Sequence, residues 1–320
     1  MDVSDGDLFL EGALASFTGQ TFRDFEVVLC AHGATETTRR IIGEWQAREG
    51  RLRVIWTEAL PLARAHNIAA RAARAPLLAR LDADDVAMPR RFELQHRLFD
   101  QDPGLDLAGS AVEVIDDSGR PICIMTNPNS HEQIHAAMPY SCPIVHSTMM
   151  VRADAFWRAG GYREGLNLSE DYDLYSRLLE SSLASNLVEP LVQYRVHPAS
   201  LTSSKAKRMA IASLCVGAAT LARRSGTPEP FLHGSPSLRL AQHTLRLSRR
   251  QLRLKLRSTS WQASISRLIL IHRLPFRLNG RLRALALKLG GRPIYSFIFA
   301  LGARLAEAAP RRRSRQERDD

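Results

Sequence analysis

The first eighty residues alternate between two hydrophobic periods, and that alternation leaves the chain few architectures. Residues 7–19 place Leu8, Phe9, Ala13, Leu14 and Phe17 at helical spacing. Phe25 to Cys30 is a β-branched apolar run that reads as a strand, and His32-Gly33-Ala34-Thr35 makes a turn. Glu36 to Arg48 returns to the helical period, Leu52 to Trp56 reads as a second strand, and Leu62 to Arg74 as an alanine-rich helix. Pro76 to Leu81 is another short apolar run, the pattern of a buried strand. Strands and helices alternating at these lengths predict an α/β fold, a mixed but mostly parallel sheet flanked by helices.

The last of these strands runs into Leu81-Asp82-Ala83-Asp84-Asp85, with Pro89 suited to the first position of the following helix. Open α/β sheets bind ligands in the crevice outside the carboxyl ends of their strands. Three acids in four positions repel one another unless a cation or a set of donors neutralises them. A hard divalent cation holding a diphosphate would do so, because Mg2+ takes one or two carboxylates and leaves its other positions to phosphate and water. A solvated turn whose Asp85 caps the next helix is the other reading, and these five residues alone leave both open.

Arg90 to Asp100 continues as a helix, and Leu105 to Ile115 as a strand that turns at Asp116-Asp117-Ser118-Gly119 and pairs back through Pro121 to Met125. His146 to Val151 is a candidate strand, and Asp154 to Arg158 a short helix closed by Gly160-Gly161. Ser169-Glu170-Asp171 opens a further helix with Ser169 as its N-cap, and Leu187 to Val196 is extended before His197-Pro198. Met209 to Ala222 is an apolar helix expected to dock on the preceding domain. These observations divide the chain into a domain over residues 1–204 and a basic helical extension over 205–320, with a linker near 225–237 and a disordered tail near 310–320.

Charge follows the same division. Residues 1–200 carry 19 Lys and Arg against 28 Asp and Glu, and residues 201–320 carry 25 against 5, for a net charge of +11. Arg mixed with Leu, Ile, Trp and Phe over 238–305 predicts contact with an anionic membrane surface, the other reading being a helical unit with a solvated cationic face. No nucleic-acid-binding motif accompanies the basic region, and no nucleic-acid partner is expected. The four cysteines, Cys30, Cys123, Cys142 and Cys215, form no C-x-x-C pair, which predicts reduced, mostly buried thiols and a cytoplasmic protein. The first residues lack the regions of a signal peptide, and no apolar run is long enough to span a bilayer.

Four segments together resemble the family 2 glycosyltransferases, inverting nucleotide-sugar enzymes with a GT-A fold. These are FLEGALASFTGQTFRDFEVVL, RAHNIAARAARAPLLARLDADDVAMPRRFELQ, CPIVHSTMMVRADAFWRAGGYREG, and LSEDYDLYSRLLE followed by YRVHPASLT, covering about residues 5–204. The resemblance implies transfer of a sugar from a nucleotide-diphosphate donor to a glycan or lipid-linked acceptor, at the cytoplasmic face of a membrane. It implies that Asp82, Asp84, Asp85, Arg64 and His32 bind the donor. Asp84 and His197 would hold Mg2+ or Mn2+, and Asp171 beside Glu170 would be the general base. His146, Gly161 and Tyr162 would line the acceptor pocket.

Two features depart from the family pattern. The first strand should precede Asp5, yet only Met1 to Ser4 stand there, so the strand is expected to be truncated or missing. After Cys30 the family has an Asp-Asp-Gly-Ser turn whose first acid reads the base, and here the turn is Ala31-His32-Gly33-Ala34. His32 could stack on or donate to a base by a different scheme. A non-catalytic, degenerate glycosyltransferase that binds without turnover is therefore the competing function.

Overall fold

The computed structural model describes residues 1–3, 8–166, 168–200, 204–229, 231–232 and 235–236. Three parallel strands lie in the order β1 (Asp2–Val3), β2 (Val27–His32) and β3 (Leu52–Thr57). Helix α1 (Leu10–Thr18) connects the first pair and α2 (Glu36–Arg48) the second, as parallel neighbours require. The first strand is present and short, not missing: Asp2 pairs with Cys30 and Val3 with Ala31, and the Cys30 N–H donates to the Met1 carbonyl at 3.0 Å. That edge of β2 is therefore paired, and the strand beside it is two residues long.

A second sheet has the order β4 (Leu77–Ala79), β8 (Met150–Arg152), β6 (Leu105–Ile115), β9 (Leu183–Arg195) and β5 (Val86–Ala87), with β7 (Pro121–Met125) also on β6. Of these pairings β6 with β9 is parallel and the others antiparallel. Buried along most of its eleven residues, β6 forms the centre, whereas β7 is a half-exposed hairpin arm. One apolar cluster, including Val3, Leu29, Leu81, Ala108 and Val112, joins the two sheets. Helix α3 (Leu62–Ala72) packs on β2, α4 (Arg91–Gln101) on β6, and α5 (His131–Ala137) on β9.

Several local readings differ from the sequence expectation, each because a non-local partner takes over. The strand expected to end at Asp82 stops at Ala79, and residues 80–85 leave the ladder as a strap between β4 and β5. Helix α4 starts at Arg91 after an N-cap at Arg90, so Pro89 precedes it, and Asp85 turns inward to the Arg195 N–H at 2.7 Å instead of capping it. His146–Thr148 is a 3-10 turn, closed by the Thr148 and Met149 amides onto the Val145 and His146 carbonyls. Ser169 precedes α7 (Glu170–Leu178) with φ of 59° and makes no cap, because its hydroxyl contacts the Ser213 hydroxyl at 3.1 Å. Cys30 and Cys215 are buried and Cys142 half-buried, but Cys123 is exposed; all four are free.

Helix α6 (Ala153–Arg158) leads into the loop before α7, and α8 (Ala206–Arg224) packs against α7. α8 buries Ala210, Cys215, Val216, Ala218, Ala219 and Ala222, a stripe of small residues that permits close approach. At Gly217 a Cβ would stand 2.4 Å from the Pro139 carbonyl oxygen. Within the segment near 225–237, Glu229 pairs with Arg163 at 2.9 Å and Arg223 at 2.7 Å. β10 (Phe231–Leu232) then pairs with β11 (Ser235–Pro236). The basic stretch over 238–305 and the tail lie outside the described residues.

Pro139 presents backbone at this contact, which cannot swing aside as a side chain would. Gly217→Val is expected to lower stability by about 1–3 kcal/mol, the usual cost of overpacking. Urea unfolding measures it, and an unchanged midpoint would contradict the close approach of α8 to the Pro139 backbone.

Candidate active site

The acidic turn solves its own repulsion by giving each carboxylate a different partner. Ligand oxygens of Asp82, Asp84 and Asp85 lie within 4.8 Å of one another. Asp82 Oδ1 accepts from Arg80 Nη2 at 2.6 Å and stands 3.4 Å from His146 Nδ1, while the Asp82 N–H donates to Ser147 Oγ. Burial works against its charge, but Arg80 and His146 outweigh it and hold the Asp82 carboxyl well below the usual range. Asp85 is fully buried, and burial together with the charges of Asp84 and Asp82 pushes its carboxyl well above the usual range. Asp84 is half-buried, with Oδ2 3.0 Å from His197 Nε2.

Below the turn lies a buried set of charges that the hydrophobic pattern conceals. Arg80 follows β4 with its side chain 8% exposed, and its Nη2 also forms an ion pair with Asp2 Oδ1 at 2.5 Å. Asp2 stands on β1, with His66 Nε2 2.7 Å and His32 Nε2 3.7 Å from its carboxylate. Burial opposes the Asp2 charge, yet Arg80 and His66 hold its carboxyl well below the usual range. Burial lowers His66 to about 4, with Arg80 acting in the same direction, so its ring is neutral near pH 7 beside Asp2. Arg91, fully buried, donates to the Arg80 carbonyl at 2.6 Å and is lowered to about 9 by burial.

The opposite wall comes from the loop between α6 and α7. Gly161 adopts φ of 64°, and a Cβ there would lie 2.8 Å from Asn67 Oδ1. Asn67 of α3 holds this loop through both amide atoms: Oδ1 accepts from the Tyr162 N–H at 2.9 Å and Nδ2 donates to its carbonyl at 2.8 Å. The Tyr162 hydroxyl is 2.7 Å from His146 Nε2, which completes a line from Tyr162 through His146 to Asp82. Burial disfavours the His146 cation, but Asp82 outweighs it and raises the imidazole above its ordinary value. At the start of α7, burial and the charge of Asp171 raise Glu170 to about 7, and burial also raises Asp171. Asp173, two residues on, is taken by Arg177 at 2.8 Å and belongs to the packing of α7.

The structure thus brings Asp82, Asp84, Asp85, His146 and His197 into one cluster, with Tyr162 and Gly161 adjoining through His146. Arg64 is exposed in the first turn of α3, and His32 is buried against Asp2. Asp2, Arg80, Arg195 and Phe9 are the neighbours that sequence reasoning missed. One signal existed: Arg80 interrupts the apolar run Leu77 to Leu81, and a charge in a buried strand requires a buried partner. Asp84 and His197 offer a carboxylate oxygen and an imidazole nitrogen side by side, with further carboxylate oxygens in reach. That donor set fits Mg2+ or Mn2+, oxygen ligands suiting both ions.

Comparison with known proteins identifies the family and the fold. The chain matches glycosyl transferase family 2 over residues 7–160. It is 31% identical over 209 residues to the O-antigen biosynthesis glycosyltransferase WbnJ of Escherichia coli, a match spanning 64% of this chain and 81% of that protein. The chain belongs to glycosyl transferase family 2. The fold resembles the mannosyltransferase PcManGT of Pyrobaculum calidifontis, solved with GDP-Man and Mn2+, at TM-score 0.54 and 19% identity, over 89% of this chain and 79% of that one. It also resembles S. aureus TarS 1-349 in complex with UDP-GlcNAc, at TM-score 0.55 and 16% identity, over 69% of this chain and 65% of that one.

Because Arg80 serves two carboxylates, its removal strands both. Arg80→Met is expected to cost about 3–5 kcal/mol, the range for breaking a buried pair from one side. Asp2→Asn should cost less, since Arg80 keeps Asp82. Chemical denaturation of the two variants checks the order, and equal or negligible losses would contradict a shared cation.

Proposed function

We propose that this protein transfers a sugar, with inversion, from a nucleoside-diphosphate donor to a hydroxyl of a glycan or lipid-linked acceptor. The observation that carries the reading is the Asp84–His197 pair at 3.0 Å on a turn outside the sheet, together with a carboxylate pair of raised pKa, Glu170 and Asp171. Asp171 takes the proton from the acceptor hydroxyl as its oxygen attacks the anomeric carbon on the face opposite the diphosphate. The bond from that carbon to the diphosphate oxygen breaks, and the electron pair leaves with the nucleotide. Asp84 and His197 would hold Mg2+ or Mn2+, which supplies Lewis-acid stabilisation for the departing diphosphate. Asp82, fixed by Arg80, His146 and Ser147, orients the donor, with Asp85 and Arg64 as further donor-side groups. His146, Gly161 and Tyr162 shape the acceptor side.

Donor specificity rests on a scheme other than the family's usual acid. Ala31 has no polar side-chain atom, and His32 points at Asp2. This favours a second reading, a protein that binds sugar donors or glycans without turnover. Over 238–305 the sequence supports attachment to the inner face of a membrane, and no helix among the described residues is long and apolar enough to cross one. Liposome flotation of the full chain is expected to show binding to anionic vesicles at low salt and release at high salt.

Donor hydrolysis with Mn2+ separates the catalytic reading from the non-catalytic one. The native chain is expected to turn over and Asp84→Ala to lose the metal-dependent rate; no turnover in either would favour binding alone. Asp171→Asn is expected to lower kcat by about 10²–10⁴, the usual contribution of a positioned base. A base acts only when deprotonated, so activity falls as pH drops through its raised value. The acidic limb of kcat/KM is expected above the ordinary carboxylate range of about 4, in the direction in which burial moves Asp171. A limb near 4 would contradict the raised pair.

A further inference from the structure

We propose that Arg195 is the positioning residue of the cation-binding turn, and that it acts together with the ring of Phe9. This rests on the reading that Asp84 and His197 hold a divalent cation. Arg195 ends β9 and reaches the acidic turn twice: its N–H donates to Asp85 Oδ1 at 2.7 Å, and its Nε donates to the Asp84 carbonyl at 2.8 Å. The same guanidinium extends to the β6–β7 turn, where Nη1 donates to the Asp116 carbonyl at 3.1 Å and the Asp117 carbonyl at 3.4 Å. One side chain therefore fixes the main chain of the cation turn to the tip of a hairpin.

Phe9, just before α1, touches both residues that address Asp84. The Arg195 guanidinium lies 4.6 Å from the Phe9 ring centre, and the His197 ring centre lies 4.9 Å from it. Arg195 and His197 are two residues apart and meet opposite ends of Asp84, its carbonyl and its carboxylate. The half-buried Asp84 side chain depends on its surroundings for its aim, and groups that orient metal ligands typically contribute about 10–100-fold in affinity or activity. A planar fork with several donors is needed to reach two turns at once, and a lysine ammonium cannot reproduce that geometry.

The test is Mn2+ binding to the full chain, read as free Mn2+ by electron paramagnetic resonance without donor sugar. Arg195→Met and Arg195→Lys are each expected to weaken Mn2+ binding at least 10-fold. Phe9→Leu is expected to weaken it measurably, and Phe9→Tyr, which keeps the ring, to retain it. Phe9→Leu leaves every backbone hydrogen bond of Arg195 in place, so it keeps the test decisive if Arg195→Met unfolds. Affinities of Arg195→Lys and Phe9→Leu within twofold of native, while Asp84→Asn loses binding, would overturn this inference and leave the cation site standing. Native binding unchanged in Asp84→Asn would instead overturn the cation reading and this inference with it.

Discussion

Three carboxylates whose oxygens lie within 4.8 Å must be neutralised in different ways if a folded chain is to hold them together. Asp82 is matched by Arg80 and His146, Asp84 stands against His197, and Asp85 is buried where its charge is disfavoured. Each solution draws on a distant part of the chain. Arg80 is itself shared with Asp2 on β1, Asp85 accepts the last amide of β9, and His197 follows that same strand. A five-residue turn is thereby tied to both sheets, which makes its geometry a property of the whole domain.

That division of labour also separates roles that the sequence presents as one acidic run. Asp82 is already engaged by a cation, and Asp85 faces inward. Asp84 is the carboxylate left beside the imidazole of His197. Where an acid is expected after Cys30 the chain has Ala31 and His32, the last residues of β2, and Asp2 on the neighbouring β1 is buried and engaged by Arg80 and His66. Asp2 on β1 is a counter-ion to the site rather than an open group for a base.

The α1 to α3 region was legible because burial sets hydrophobic period, and each of those elements buries one face. β2, α2, β3 and α3 fall close to where the period places them. Legibility failed where a distant partner decides the local conformation. β4 stops three residues early because Arg80 and Asp82 turn to Asp2, His146 and Ser147. Asp85 does not cap α4 because the Arg195 amide claims it, and Ser169 does not cap α7 because its hydroxyl meets α8. At the site, Asp82, Asp84, Asp85, His146, Tyr162 and His197 were identifiable through motif spacing and resemblance. Arg195 and Phe9 were not, since contacts across 70 or more residues leave no period in the sequence, and Arg80 left only its charge within an apolar run.

The central claim is that Asp84 and His197, rather than Asp82 and Asp85, receive the cation. Crystals grown with Mn2+, measured at the manganese absorption edge, test it most directly. An anomalous peak within coordination distance of Asp84 and His197 Nε2, with Arg80 still on Asp82 and the Arg195 amide still on Asp85, is the result expected. A peak bound by Asp82 and Asp85 with His197 turned away, or no peak at the turn, would contradict it.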